Sequence, residues 1–299
     1  MMRNRSFLLR MASGAAIFSL GLVFACSDEE PQFREEAGYA VEESSVDAYY
    51  TDADDMAGVV VAESEETEGG RISSGARALQ LSDDRFCTAI TVNLDLDLSQ
   101  LPALPVGDIS IDFGDGCEDG RGNVRSGKIR VHFRGRKFRP GSSISITFEN
   151  YQINNVKLNG VRTLTNLSAS TVGAPSFQIE LENGSVEWDG KTITREHCFI
   201  STWQRGVLLN PDDDVVIVTQ CPDTDVAAEG INRKGVHYRV SIDEPLIYKR
   251  GCPLAISGVK TFTEVGKGKE IIIDYGSGSC DASFSLTVNG NIRNVGSRR

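Results

Sequence analysis

Lys128-Ile129-Arg130-Val131-His132-Phe133-Arg134 decides the fold class. Apolar and polar side chains alternate one for one, and a period of two puts Ile129, Val131 and Phe133 on one face of a strand. Outward from this stretch the pattern recurs in Ile90, Val92, Leu94 and Leu96, in Ile144, Ile146 and Phe148, in Phe177, Ile179 and Leu181, and in Phe284, Leu286 and Val288. Such runs are strands with one buried and one solvated face. Asn159-Gly160, Asn183-Gly184 and Asp189-Gly190 read as hairpin turns, because Asn, Asp and Gly tolerate the positive φ that tight turns need. With no helical period after residue 86, the expectation is an all-β, antiparallel, β-sandwich-like architecture.

A repeat divides this β region. Ile111-Asp112-Phe113-Gly114-Asp115-Gly116-Cys117 matches Ile273-Asp274-Tyr275-Gly276-Ser277-Gly278-Ser279-Cys280. Cys87 precedes the first copy and Cys252 the second at similar distances, which points to two related halves, 86–175 and 176–299. The repeat pairs Cys87 with Cys117 and Cys252 with Cys280, leaving Cys198 and Cys221, among the connectivities that six cysteines allow.

The seventh cysteine, Cys26, has a different setting. Arg3, Arg5 and Arg10 precede an apolar run from Met11 to Ala25, the order of an export signal over residues 1–25. Val23-Phe24-Ala25-Cys26 resembles a bacterial lipobox, which implies that Cys26 is acylated and begins the mature chain. Acylation leaves an even number of cysteines for an oxidising compartment. Residues 27–70 hold 15 acidic residues against Arg34 alone, whereas residues 71–299 balance 27 acids with 27 bases. That composition reads as an acidic tether over 26–85. Val41, Val46, Tyr49, Tyr50, Met56 and Val59–Val61 would let part of it form a short helix.

Further patterns run through the body: Arg125-Ser126-Gly127-Lys128-Ile129, Pro140-Gly141-Ser142, Asn150-Tyr151, Trp203 and Pro245-Leu246-Ile247-Tyr248-Lys249. Together with the paired repeats they resemble a group of uncharacterised lipoproteins of the Bacteroidota over residues 86–290. The resemblance implies a β fold and an envelope location, and no activity. In that phylum the acids behind Cys26, Ser27-Asp28-Glu29-Glu30, resemble a signal for display on the outer face of the outer membrane.

Residues 121–139 concentrate positive charge: Arg121, Arg125, Lys128, Arg130, Arg134, Arg136, Lys137 and Arg139, with no acid among them. Arg125, Lys128, Arg130, Arg134, Arg136 and Lys137 are the candidate anion-binding residues, for anionic glycan or lipid phosphate. The competing reading pairs these bases with acids on neighbouring strands or with the acidic segment. Nucleic acid is not an expected partner, because stacking aromatics are not interleaved with the bases. Asp112, Asp115, Glu118, Asp119 and Asn123 are oxygen-bearing but lack the spacing of a calcium loop, so no metal or other cofactor is expected. His132, His197 and His237 show no ligand spacing, and no nucleophile, phosphate-loop or dinucleotide motif occurs. The expectation is a non-enzymatic structural or binding lipoprotein that touches membrane through lipid and an envelope protein or anionic glycan through its domain. The alternatives are an accessory component of an outer-membrane protein complex and, third, a secreted hydrolase.

Overall fold

A computed structural model describes residues 31–66, 75–78, 81, 83–87, 90–97, 105–167, 173–206, 213–252, 254–281 and 283–296. The export signal and Cys26 lie outside the described residues. Among the described residues one helix, α1 (Pro31–Glu66), leads into sixteen strands. These are β1 (Gly75–Ala78), β2 (Thr91–Asp97), β3 (Val106–Asp112), β4 (Cys117–Glu118), β5 (Val124–Arg134), β6 (Ser143–Ile153), β7 (Val156–Asn166) and β8 (Ser176–Trp188). Then follow β9 (Lys191–Gln204), β10 (Val215–Gln220), β11 (Ala228–Ile231), β12 (His237–Lys249), β13 (Ser257–Glu264), β14 (Lys269–Ser277), β15 (Ser283–Val288) and β16 (Asn291–Gly296).

Every strand pairing is antiparallel, so the all-β, antiparallel expectation holds. The strands belong to one hydrogen-bonded sheet. Its order is β1-β2-β3-β5-β6-β7-β8-β9-β10-β12-β13-β14-β15-β16, with β4 on β5 and β11 bridging β9 and β12. The β7–β8 ladder joins the strands on either side of residue 175, with one register shift at Asn159 and Val161. Helix α1 touches β5, β6 and β7 and also β15, although seven strands separate β6 from β15 in the hydrogen-bonded order. The sheet therefore curls around the helix, and the interior is one apolar cluster shared by helix and strands.

The acidic tether is thus corrected over residues 31–66: it is the element around which the sheet is built. Val46, Tyr50, Ala53, Met56, Ala57, Val60 and Val61 are fully buried, and Asp52 and Asp54 nearly so. Each large apolar side chain in that set contributes about 1.5–3 kcal/mol on burial. A helix covered on most sides has no polar stripe, so it carries no amphipathic signal.

Two of the three expected turns are also corrected. Asp189-Gly190 does turn β8 into β9, with φ of 51° and 67°. Asn159-Gly160 and Asn183-Gly184 instead lie inside β7 and β8 at register shifts. Some bulges use the positive φ that a tight turn needs, and Asn183 (φ 52°) and Gly160 (φ 118°) supply it here. The two bulges lie against each other, since a Cβ on Gly160 would sit 2.8 Å from the Gly184 Cα. The backbone around them serves the helix: the Tyr50 hydroxyl lies 2.7 Å from the Asn159 carbonyl and 3.2 Å from that of Ser185, and donates to them.

Both copies of the repeat close the same local bond, in a turn after β3 in the first and at a register shift inside β14 in the second. Gly114 N–H donates to Asp112 Oδ1 at 2.9 Å and Gly276 N–H to Asp274 Oδ1 at 2.7 Å, while Ile111, Phe113, Ile273 and Tyr275 are buried. Disulfides join Cys87 to Cys117, Cys198 to Cys221 and Cys252 to Cys280.

Candidate functional site

The inner face of the sheet holds the arginines that answer the helix acids. Arg125, wholly buried, donates to both oxygens of Asp52 (2.5 and 3.0 Å), to Asp119 (3.1 Å) and to the Tyr151 hydroxyl (2.6 Å). Arg162 grips Asp54 at 2.7–2.9 Å, Arg195 reaches Asp47 at 2.9 Å, and Arg233 approaches Glu42 at 3.7 Å. Arg85 gives its two-pronged bond to Asp83 and only a 3.4 Å contact to Asp55. Burial, with Arg85 and Lys137 opposing it, accordingly raises the Asp55 carboxyl to about 7. Burial raises Asp54 too, against the pull of Arg162. His197 lies between Arg162 (Nη1 to Nε2, 2.5 Å) and Arg195 (Nε to Nδ1, 3.2 Å). Burial and the two cations hold its pKa well below the usual histidine value, which keeps the ring neutral.

The pairs also give the helix a direction. Glu42 meets Arg233 in the turn between β11 and β12, beside Trp188 and Asp189 in the β8–β9 turn. Gly58 lies beneath the Lys137 ammonium in the turn after β5, where a Cβ would collide with it. α1 therefore enters at the end of the sheet that carries the Asp189-Gly190 turn and runs toward the β5–β6 turn at the other.

The candidate anion-binding residues divide along this geometry. Arg125 is corrected: wholly buried and spent on Asp52 and Asp119, it cannot meet an outside ligand. Lys137 faces the helix, where its charge acts on Asp54 and Asp55. Lys128 pairs with Asp112 at 2.8 Å and Arg130 with Glu149, and His132 meets Asp108 at 2.8 Å, all on the outward face of β5. At Arg134 this zipper stops, because its cross-strand neighbours are Val106 and Ser143. Arg136 and Arg139 follow in the exposed turn, and among the described residues no carboxylate pairs with Arg134, Arg136 or Arg139.

Aromatic residues gather at the same turn, which sequence reasoning missed because three separate segments supply them. Phe138 is 45% exposed and meets Phe177 edge-on at 6.2 Å. The Arg205 guanidinium lies 5.8 Å from the Phe138 ring and 4.8 Å from that of Trp203, both within cation–π range. Arg205 Nε is buried without a hydrogen-bond partner.

Beside this turn, the outward faces of β2, β3, β5 and β6 form a groove of about 410 Å³. Asn93, Asp95, Ser110, Ser145 and Thr147 line it between the longer Arg130 and His132. Register sets Asp108, His132 and Ser145 side by side, the residue types of an acyl-transfer triad. Yet β3, β5 and β6 each lie between two ladders, so their backbone N–H groups are engaged in the sheet and are not free to form an oxyanion hole. Of the acids considered for calcium, Asp112 is committed to Lys128 and Asp119 to Arg125. No group of three or more His, Cys, Asp or Glu among the described residues is placed to hold a metal ion.

Comparison with family models, curated proteins and solved structures finds no match for this chain.

Proposed function

We propose that this chain is a lipid-anchored outer-membrane lipoprotein, displayed at the cell surface, whose β domain has a structural or binding role rather than an enzymatic one. The sequence from Arg3 to Cys26 supports the anchor, and the course of α1 carries the rest. The helix begins five residues after Cys26 and is held in the domain by five carboxylate–arginine contacts. An anchor coupled to a docked helix restricts how the domain sits on the membrane, which a solvated spacer would not do. From Glu42 to Gly58 the helix rises roughly 24 Å, so the β5–β6 turn faces away from the end at which the chain enters.

Cell fractionation tests the anchor: Cys26→Ala should move the protein out of the membrane fraction, and a variant that stays bound refutes it. Cleavage at the Arg136–Arg139 turn by trypsin added to intact cells is expected for surface display; protection of that turn refutes it.

A second reading is supported by the sheet edges. Among the described residues, β1 and β16 each pair on one side only, and Ile292 on β16 is 69% exposed, so an accessory role within an outer-membrane complex would use strand addition. Crosslinking on intact cells through a photoreactive residue at Ile292 should then capture one stoichiometric protein; capture of none counts against it.

A further inference from the structure

We infer that the groove across β2, β3, β5 and β6, together with the β5–β6 turn, binds an anionic glycan: a polysaccharide with carboxylate or sulfate groups spaced along a hydroxyl-rich chain. This names the ligand for the binding role proposed above and rests on that reading.

Three observations converge. Arg134, Arg136 and Arg139 lie within six residues in an exposed segment, while the other bases of β5 are matched to acids. Guanidinium forks suit planar carboxylates and sulfates. Arg205 adds a fourth cation, held between Phe138 and Trp203, with an unsatisfied Nε. A buried donor without a partner calls for an explanation, and an acceptor on a ligand supplies one.

The groove supplies the second half of the recognition. Arg134 is the next outward position after His132, about 6.7 Å further along the strand, so groove and turn form one continuous track. Short side chains of mixed donor and acceptor character line the groove floor. Asp95 and Asp108 accept hydrogen bonds, which suits the hydroxyl groups of a sugar chain, while its anionic groups meet the arginines of the turn. Phe138 offers an exposed apolar surface next to the cations, as a sugar ring requires. An anionic membrane fits less well, because the turn lies at the end of the domain opposite the entry of α1.

The test uses the full chain purified in detergent, with polygalacturonate, chondroitin sulfate and neutral dextran as probes. Calorimetry should show binding to one or both anionic polymers and none to dextran; the stronger of the two tells carboxylate from sulfate. Arg134→Glu/Arg136→Glu/Arg139→Glu should weaken binding at least about tenfold, and affinity should fall with salt. Ser145→Trp, which fills the groove and leaves the charge alone, should weaken it by a similar factor. Both variants change outward-facing residues, and unaltered thermal midpoints confirm that they fold. Equal binding by either variant, equal binding to dextran, or preference for phosphatidylglycerol vesicles or duplex DNA overturns the proposal. Since fractionation of Cys26→Ala reads the anchor independently, failure to bind glycan and failure of the anchored reading are separate results.

Discussion

Replacing Arg125 with Met should destabilise the protein by about 3–5 kcal/mol, the usual cost of removing one partner from a buried ion pair. The reasoning follows the contacts. Arg125 is fully buried and gives two bonds to Asp52, one to Asp119 and one to Tyr151. Asp119 keeps other partners, because the Arg121 and Asn123 N–H groups donate to it at 2.9 and 2.8 Å. Asp52 has no such reserve and would be left as a buried charge facing a thioether. Most of the loss is therefore the stranding of Asp52, and Asp52→Asn in the same chain should recover about 1–3 kcal/mol. Lys128→Met is the control: its pair with Asp112 is 42% and 31% exposed, and losing it should cost less than about 1 kcal/mol. Urea unfolding followed by far-UV circular dichroism reads all four proteins, and Arg125→Met should lower the thermal midpoint by about 6–20 °C. If Arg125→Met falls within about 1 kcal/mol of the parent, or if Asp52→Asn adds independently, the helix is not held by this pair and the reasoning fails.

Three further outcomes follow from the same interior. The Asp55 carboxyl rises from 3.8 to about 7 in the folded state, so the folded chain keeps a proton that the unfolded chain releases. Its contribution to stability falls as pH climbs through that window, by about 4 kcal/mol at most. Asp55→Asn should flatten the corresponding slope in urea midpoints; a slope parallel to the parent's refutes this. Asp83, lowered by its bonds to Arg85 against partial burial, works in the opposite sense and loses its contribution only as acid protonates it. Removing residues 31–66 should expose the apolar interior and give strong binding of a hydrophobic dye such as ANS, whereas a cooperative, dye-negative domain would restore the tether reading. Replacing Cys198 and Cys221 with Ala opens a loop spanning 23 residues and should cost about 3 kcal/mol in the entropy model. Peptide mapping without reductant should recover all three pairs, and a different connectivity contradicts the structure.

Strand alternation was legible because it depends on neighbours two residues apart. The Lys128–Arg134 stretch, the bonds from Gly114 to Asp112 and from Gly276 to Asp274, and the cysteine pairs all rest on local spacing or on an internal repeat. The helix was legible only in part, as a short apolar face from Val41 to Val61, and its length and central place were hidden for a physical reason. Its aspartates carry the composition of a disordered segment, and only the folded sheet brings Arg125, Arg162 and Arg195 opposite them. Charge counted along the chain therefore reports an acidic tail and a neutral domain, while charge counted in space reports matched pairs. The Asn-Gly pairs misled in a related way. Positive φ is a property of the residue, but whether it makes a turn or a bulge depends on whether the ladder resumes beyond it.

The same distinction between charge in sequence and charge in space sharpens the candidate site. As a list, residues 121–139 are a basic run in which every member is equivalent. The fold ranks them: Arg125 and Lys137 face the helix, and Lys128 and Arg130 are balanced on the outer face. Arg134, Arg136 and Arg139 are left over. Balanced bases contribute little net field, so the surface potential outside the domain is set by those left unmatched. They collect at one turn because β6, the strand after it, begins with Ser143 and Ser145 and brings its first carboxylate, Glu149, only opposite Lys128. Had Ser143 been an acid, Arg134 would have been matched like Arg130. Ser143→Glu is therefore the mildest way to silence part of the turn, and it should cost glycan affinity without touching an arginine.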